Sequence, residues 1–333
     1  MATSLLEGLL TIYIFIGIGL IIGKLLGEYR DRVLKLGTRL AIYVLTPVLV
    51  FISLVNTEIV LDFRLVAGII LVQVTTSLLL MGITFAFVKR RGTMENPKLG
   101  GYLLIAGFPN ATVFPLPIIL SVFGEAYLTI IFLFSSSALV LRGTLGTYTS
   151  IKLGSGSIEG SGEEKASPTE NIDVKKTILK VIGFPPTIGI ILAVIFLATG
   201  TPLPRDALEL IKDPLSAMTS CLGSGIIGLI LAGLDTSKLK TYKRDLPACM
   251  LIRFVIPFIY FMIVSRFMKF STDDTIIKSI LLLEVMGPPA IFNALFAVNF
   301  GLKPEFVATM VVILTLCMII LAPLIIVVAP FLF

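Results

Sequence analysis

Two short segments place prolines and asparagines inside strongly apolar stretches of the chain. The first reads GFPNATVFPLP at residues 107–117, and the second reads EVMGPPAIFN at residues 284–293. Proline removes a backbone donor and clashes with the preceding helical turn, and lipid offers no partner to the asparagine amide. Helices broken at these points would leave backbone groups unpaired. Because free N–H groups at a helix N-terminus favour negative charge, the pattern indicates an anion-binding site.

Six residues of these segments are candidate contacts for such an anion. The asparagines supply both donors and acceptors, and the prolines determine where each helix is broken. If the two breaks cross, they form one central polar site. The alternative is that the prolines merely kink the helices and the asparagines hydrogen-bond the gaps. The candidate residues are Pro109, Asn110, Pro117, Pro288, Pro289 and Asn293.

Polar residues also lie deep within other apolar stretches, where an ionisable group is costly and usually functional. Glu284 directly precedes the second break, and we expect it to bind a coupling cation, to carry a proton or to be the structural partner of an arginine. Arg253 is expected to contact the anion, to pair with Glu284 or to extend to the cytoplasmic surface. Gln73 either lines the ligand's path or hydrogen-bonds a neighbour. Arg142 is expected to extend to the cytoplasmic surface.

The elements that position these residues are membrane-spanning helices. Of the 333 residues, 56% are hydrophobic and 14% are charged, and the mean hydropathy is +1.02. A soluble domain carries about 25% charged residues. Apolar stretches of about 20 residues, long enough to cross a bilayer, recur along the chain without the period-two alternation of barrel strands. We count ten, at 4–26, 38–56, 65–88, 99–121, 126–150, 177–200, 208–233, 246–267, 276–300 and 306–332.

Basic residues are unevenly divided between the connections. One set of alternate loops contains 16 Lys and Arg residues, and the other set contains five. The positive-inside rule then places the loop at 152–175 in the cytoplasm and both termini outside the cell. The net charge of +6 is therefore a feature of membrane topology, and no nucleic-acid partner is expected.

The loop at 152–175 is rich in Gly, Ser and charged residues, which is typical of a flexible linker. It separates five spans at residues 1–151 from five spans at residues 176–333. An odd number of spans gives the two halves opposite orientations, as in secondary transporters built from inverted repeats. The breaks lie in the fourth and ninth spans. Shifting 109–117 by the interval between these spans gives 286–294, so the two breaks occupy matching positions.

Motifs of other functional classes are absent from the sequence. It contains no histidine, and its cysteines lie far apart, so neither a metal site nor a disulfide framework is indicated. The sequence has no HExxH or GxSxG motif, which argues against an enzyme, and no P-loop that would support a primary pump. An anion channel and a receptor that does not transport its ligand stay open as alternatives to a secondary transporter.

At the two breaks the sequence resembles the auxin efflux carrier family, within the bile-acid/arsenite/riboflavin transporter-like superfamily, as a prokaryotic-type member. The fourth span matches the family's pattern of Asn, Gly-x-Pro and Phe-Gly, although Pro115 stands where Gly is usual. Residues 286–301 resemble the family's proline-containing crossover, and the last span resembles its Thr…Pro close. The residues that carry the match are Asn110, Pro117, Phe123, Gly124, Thr315 and Pro323.

The resemblance implies a scaffold domain, a transport domain with crossed helices, and elevator-type alternating access. It also implies secondary transport of a small organic anion, such as a carboxylate or an auxin-like acid, with efflux as the expected direction. A symporter coupled to sodium or protons stays open. No resident cofactor or metal is expected. The expected partners are the anion, membrane lipid and, as an open alternative, a second copy in a homodimer, all at the cell membrane.

Overall fold

A computed structural model describes residues 2–56, 63–90, 95–154, 185–199, 205–233, 241–270 and 274–333. In these ranges every regular element is a helix, which confirms the prediction of an all-α membrane protein. Helices satisfy their own backbone groups, which a segment in lipid requires. Most of the linker predicted at 152–175, and the predicted start of the second repeat at 176, lie outside the described residues.

The helices of the first half are numbered in chain order. They are α1 (Ala2–Leu26), α2 (Arg30–Leu40), α3 (Thr46–Asn56), α4 (Phe63–Arg90), α5 (Asn96–Gly107), α6 (Pro115–Val122), α7 (Leu128–Leu141) and α8 (Thr147–Leu153). A 3₁₀ turn at Gly27–Tyr29 separates α1 from α2, and its Gly27 has a φ of +51°, which glycine adopts without steric strain. A π-helical turn at Ala41–Leu45 joins α2 to α3. Another at Arg142–Gly146 joins α7 to α8.

The helices of the second half continue the numbering. They are α9 (Pro185–Thr199), α10 (Arg205–Leu231), α11 (Leu246–Met250), α12 (Ile256–Val264), α13 (Asp274–Val285), α14 (Phe292–Phe300) and α15 (Pro304–Val328). A π-helical turn at Leu251–Val255 joins α11 to α12. Helix α15 begins with Pro304 directly after Lys303, whose φ of +53° sets the sharp entry into the helix.

Six helical stretches among the described residues are long and apolar enough to cross a membrane. The first, Leu10–Ile52, has 43 residues and covers much of the first two predicted spans. The fourth and ninth predicted spans are not among the six because each is divided into two shorter helices. Ile188–Leu197, within the sixth predicted span, is a shorter apolar helix. The other five stretches are Arg64–Val88, Glu125–Leu153, Leu210–Leu231, Leu246–Phe267 and Pro304–Phe331.

Helices α1, α2, α3, α9 and α10 form one layer, held together at glycines. A Cβ added to Gly19 would lie 2.1 Å from the carbonyl oxygen of Gly225, and one added to Gly228 would lie 2.1 Å from a carbonyl oxygen of α1. A Cβ at Gly189 of α9 would lie 2.5 Å from the carbonyl oxygen of Pro47 in α3. Small residues let helix backbones approach closely, and such packing drives association where lipid is as apolar as the side chains.

Helices α4, α5, α7, α8 and α11–α15 form a second layer, with α6 between the two layers. The largest fully buried apolar side chains lie mainly in this second layer, including Phe108, Phe132 and Phe306. Helix α6 packs against both α1 and α10. Its contact with α10 is partly polar, since the Ser220 hydroxyl donates to the Pro117 carbonyl oxygen at 3.2 Å.

Candidate functional site

The chain leaves helical geometry between α5 and α6. Helix α5 ends at Gly107, and Pro109 follows without the N–H that would continue the helical ladder. A Cβ at Gly107 would lie 2.6 Å from the sulfur of Met81, so the end of α5 packs closely against α4. Helix α6 then begins at Pro115. A proline is tolerated in the first turn of a helix because its missing N–H would have no helical partner there.

The chain leaves helical geometry again between α13 and α14. Helix α13 ends at Val285, and the N–H of Gly287 turns back to the Glu284 carbonyl oxygen at 3.0 Å. Pro288 and Pro289 follow, and two consecutive residues without an N–H cannot extend the ladder. Helix α14 begins at Phe292. Pro109, Pro288 and Pro289 therefore lie in the non-helical stretches between short helices, whereas Pro115 and Pro117 lie in the first turn of α6.

The two non-helical stretches pair with each other in antiparallel fashion, at Pro109 and Pro289. The N–H of Asn110 donates to the Pro288 carbonyl oxygen at 2.7 Å, and the N–H of Ala290 donates to the Phe108 carbonyl oxygen at 3.0 Å. Buried backbone groups are almost always hydrogen-bonded. Here the N–H groups of each stretch bond the carbonyl oxygens of the other. The C-termini of α5 and α13 and the N-termini of α6 and α14 are thereby brought together.

The two asparagines have different hydrogen-bonding roles at this crossing. The Asn293 side-chain amide donates to the carbonyl oxygens of Leu104 and Phe108, both at 2.9 Å, and so ties α14 to the end of α5. Its Oδ1 is buried without a hydrogen-bond partner in the described structure. The Asn110 Oδ1 accepts the N–H of Val113 at 3.1 Å and so caps the turn that leads into α6.

Arg253 joins the C-terminal ends of α5 and α13. Its side chain is 1% exposed and comes from the π-helical turn at Leu251–Val255. The guanidinium donates to the Ala106 carbonyl oxygen at 2.8 Å, to that of Val285 at 2.9 Å, and twice to that of Gly287, at 2.7 and 2.8 Å. A cation suits the partial negative charge of helix C-termini. The expectation that Arg253 extends to the cytoplasmic surface is wrong.

Glu284 is fully buried, with 0% of its surface exposed. Neither carboxyl oxygen has a hydrogen-bond partner within the described part of the chain, so its expected pairing with Arg253, or with another arginine, is wrong there. Arg253 bonds backbone carbonyls instead. An unpaired carboxylate is costly to bury, so this position suits a neutral carboxyl group or a carboxylate that holds a small cation.

Gln73 hydrogen-bonds a neighbour, the second of the two roles expected for it. Its amide donates to the Ser77 hydroxyl oxygen at 3.2 Å, and the Ser77 hydroxyl donates to the Gly107 carbonyl oxygen at 2.6 Å. The end of α5 is therefore held by α4 as well as by Arg253. Gln73 is itself buried, and its Oε1 has no partner in the described ranges.

Two further residues at the crossing were not anticipated from the sequence as site residues. The Ser135 hydroxyl of α7 donates to the Ala111 carbonyl oxygen in the first break. Arg142 is 8% exposed, and its guanidinium carbon lies 5.6 Å from the centre of the Phe108 ring. The expectation that Arg142 extends to the cytoplasmic surface is therefore wrong. The one available sequence signal was a polar residue in an apolar stretch, which does not reveal the direction of the side chain.

The entry to α5 is fixed on the side that the charge pattern assigns to the cytoplasm. Lys98 forms an ion pair with Asp245 at 2.8 Å, and the Tyr102 hydroxyl donates to the same carboxylate at 2.7 Å. Lys303 and Glu95 pair at 2.8 Å between the starts of α15 and α5. The hydrogen bond from Lys303 lowers the pKa of the exposed Glu95 carboxyl group. These contacts hold the first turn of α5 against α11 and α15.

A family model described as membrane transport protein matches residues 4–326 of the chain. The chain belongs to that family. The resemblance to the auxin efflux carriers is thereby confirmed, and the protein is a multi-pass membrane transporter, with several helices able to span the bilayer, rather than an enzyme. A comparison with curated proteins finds no match.

The N-terminal turns at the crossing offer this transporter fewer N–H groups than the sequence suggested. Pro115 and Pro117 of α6 have none, and the N–H of Leu116 bonds the Thr112 carbonyl oxygen at 3.1 Å. In α14, the N–H groups of Asn293 and Ala294 bond preceding carbonyl oxygens at 3.0 Å. The helix dipoles still favour an anion, but most of these N–H groups are already bonded. The described residues also contain no cluster of three or more His, Cys, Asp or Glu side chains that would hold a metal ion.

Proposed function

We propose that this transporter carries a small organic anion, such as a carboxylate or an auxin-like acid, through a site at the crossing of the two helix breaks. The observation that carries the proposal is the antiparallel pairing of the two breaks. Non-helical backbone at membrane depth is tolerated where it is buried in protein or lines a cavity. Secondary transporters place their substrate between such discontinuous helices. The proposed contacts are the Asn110 amide and the positive end of the α14 dipole. Asn293 positions the two stretches through its two donated hydrogen bonds.

The proposed arrangement has ten spans in two inverted repeats of five. Helices α5 and α6 form a broken fourth span, and α13 and α14 form a broken ninth span. The long stretch Leu10–Ile52 provides the first two spans, since Gly27 interrupts it in the middle. Both breaks then occupy the fourth position of a repeat. With this count, the positive-inside rule places both termini outside the cell.

The two helical layers support an elevator mechanism, in which one layer moves against the other. The layer of α1, α2, α3, α9 and α10, with its close glycine packing, would be the scaffold. The layer with the crossing, together with α6, would be the moving transport domain. The contact between them is mostly apolar, with a small cavity bordered by Tyr13, Phe114 and Ile227. Polar bonds also cross it, including one between the Ser121 and Ser220 hydroxyls at 2.8 Å.

The position of Arg253 supports transport without a sodium ion. In other secondary transporters, the C-terminal ends of half-helices and nearby unwound carbonyls coordinate the coupling cation. Here Ala106, Val285 and Gly287 offer these carbonyls to the guanidinium. A permanent internal cation would replace the ion. An anion that leaves an inside-negative cell gains about 2.3 kcal/mol per charge per 100 mV, which is sufficient for efflux by uniport.

A proton-coupled symporter is the second candidate, and one observation favours it. Glu284 is buried beside the second break without a hydrogen-bond partner in the described ranges, and a carboxyl group there would accept and release a proton during a transport cycle. The first experiment reconstitutes the full chain in liposomes on a solid support and records charge movement when carboxylates are added. Saturable current supports a carrier, whereas current that does not saturate supports a channel.

A further inference from the structure

The two buried arginines near the crossing differ in what they bind. Each comes from a π-helical turn, Arg142 from Arg142–Gly146 and Arg253 from Leu251–Val255. Arg253 donates four hydrogen bonds to backbone carbonyls. For Arg142, the described part of the chain offers no carboxylate within ion-pair distance, and its Nε is buried without an acceptor. Arginine keeps its charge in proteins, and an unpaired buried charge is costly.

Arg142 lies directly beside the first break. Its guanidinium packs over the ring of Phe108, and the Phe108 carbonyl oxygen accepts both the Ala290 N–H and the Asn293 amide. A contact with a ring face uses none of the five N–H donors of a guanidinium, which lie in its plane. The Phe108 residue therefore connects the Arg142 guanidinium to the backbone of the crossing.

The local backbone holds the guanidinium and the ring together. A Cβ at Gly146 would lie 2.9 Å from Cζ of Phe108, so only glycine allows the ring to approach the π-helical turn this closely. π-Helical turns occur frequently at functional sites. At the same crossing, proline and internal hydrogen bonds leave few N–H groups for an anion. Of the two buried arginines near the crossing, Arg253 already uses its guanidinium on backbone carbonyls, which leaves the guanidinium of Arg142 for an anion.

We propose that Arg142 is a further substrate-binding residue, whose guanidinium binds the carboxylate of the transported anion beside Phe108. This inference rests on the proposed function. A guanidinium matches a carboxylate with two parallel hydrogen bonds, which a halide ion cannot form. The bound carboxylate would supply the missing acceptor of Nε and offset the buried charge, and the Phe108 ring would form an apolar wall of the site.

The test compares Arg142→Met and Arg142→Lys with the wild type in the full chain, and Lys152→Met is the matched control. Lys152 is a basic residue of α8 whose side chain is exposed, so its loss removes the same charge away from the crossing. For each variant, the KM of the carboxylate-driven current and the shift of Tm on addition of the same carboxylate are measured. Each Tm without ligand is recorded as well.

We expect Arg142→Met to raise KM about tenfold or more and to lose the ligand-induced Tm shift, since truncating a buried charge partner weakens binding by at least that factor. Its Tm without ligand should stay equal to the wild type or rise, because the unpaired charge is gone. Arg142→Lys should recover part of the affinity, and Lys152→Met should match the wild type.

Three outcomes would overturn the inference, and they differ in what they say of the proposed function. If the wild type transports carboxylates and Arg142→Met keeps the wild-type KM and Tm shift, Arg142 does not bind the substrate, although the crossing still does. If Arg142→Met only lowers the Tm without ligand, Arg142 has a structural role. If no carboxylate moves charge or shifts the Tm of the wild type, the proposed function fails together with this inference.

Discussion

The Gly287 carbonyl oxygen accepts two hydrogen bonds from one side chain, from Nε of Arg253 at 2.8 Å and from Nη2 at 2.7 Å. The same guanidinium reaches the Ala106 carbonyl oxygen at the end of α5. One buried cation thus holds together the C-terminal ends of two helices that come from opposite halves of the chain. The crossing is therefore held by this contact as well as by the pairing of its backbone groups.

Replacement of Arg253 by methionine should destabilise the fold strongly. Three buried carbonyls would lose their donor, and each unsatisfied group costs about 1–3 kcal/mol. We therefore expect the free energy of unfolding to fall by about 3 kcal/mol or more, measured by thermal or denaturant unfolding in detergent. Arg244→Met, which removes an exposed arginine, is the control and should have no measurable effect. Wild-type stability in Arg253→Met would show that the carbonyls find other partners.

Replacement of Gly228 by alanine should separate α1 from α10. The new Cβ would lie 2.1 Å from a backbone oxygen of α1, so the helices must move apart at a cost of about 1–3 kcal/mol. Gly225→Ala, one turn earlier, is the matched control because nothing lies within 4 Å of a Cβ there. Unfolding measurements on the two variants side by side check this. Equal stability would contradict the close packing assigned to the scaffold.

A covalent link between the layers should stop an elevator. The Ser121 and Ser220 hydroxyl oxygens lie 2.8 Å apart, one on α6 and one on α10. Cysteines at both positions, in a chain whose native cysteines are replaced by serine, can be joined with a mercuric ion. We expect transport to cease on cross-linking and to return after a thiol reductant, whereas each single-cysteine variant should be insensitive. Full activity of the cross-linked protein would exclude movement of α6 along α10.

Replacement of Glu284 by glutamine tests the driving force. If the transporter is a uniporter, a neutral amide in this buried position should leave transport intact, and the current of both proteins should be the same with and without a pH gradient. The measurement is charge movement in liposomes with imposed gradients, with thermal stability as the check on folding. Should the wild-type current follow the pH gradient and Glu284→Gln abolish this response, the proton-coupled alternative would replace uniport.

The helical fold and the location of the non-helical stretches could be predicted because each follows from a local rule. Apolar length predicts membrane helices, and proline removes the donor that a helix needs. Pro109 lies between α5 and α6, and Pro288 and Pro289 lie between α13 and α14. The assignment to the transporter family was likewise accessible from short motifs at these breaks, and the family comparison supports it.

The directions of the two buried arginines could not be predicted in the same way. Both side chains leave the helix at a π-helical turn, which the sequence did not predict. The sequence also did not show that N–H groups at the starts of α6 and α14 would be used internally, because this depends on turn geometry. An arginine near a helix end often extends to the membrane surface. In the structure, Arg253 instead binds backbone carbonyl oxygens, and Arg142 packs over the Phe108 ring.

The measurement that tests the central claim most directly is the carboxylate-driven current of the wild type, Asn110→Ala and Asn293→Ala in liposomes, with and without a sodium gradient. The Asn293 amide donates two hydrogen bonds at the crossing, and Asn96→Ala at the exposed start of α5 is the control. We predict a saturable wild-type current that ignores sodium, and a KM raised about tenfold or more in both crossing variants. Wild-type transport by both crossing variants would contradict a substrate site at the crossing.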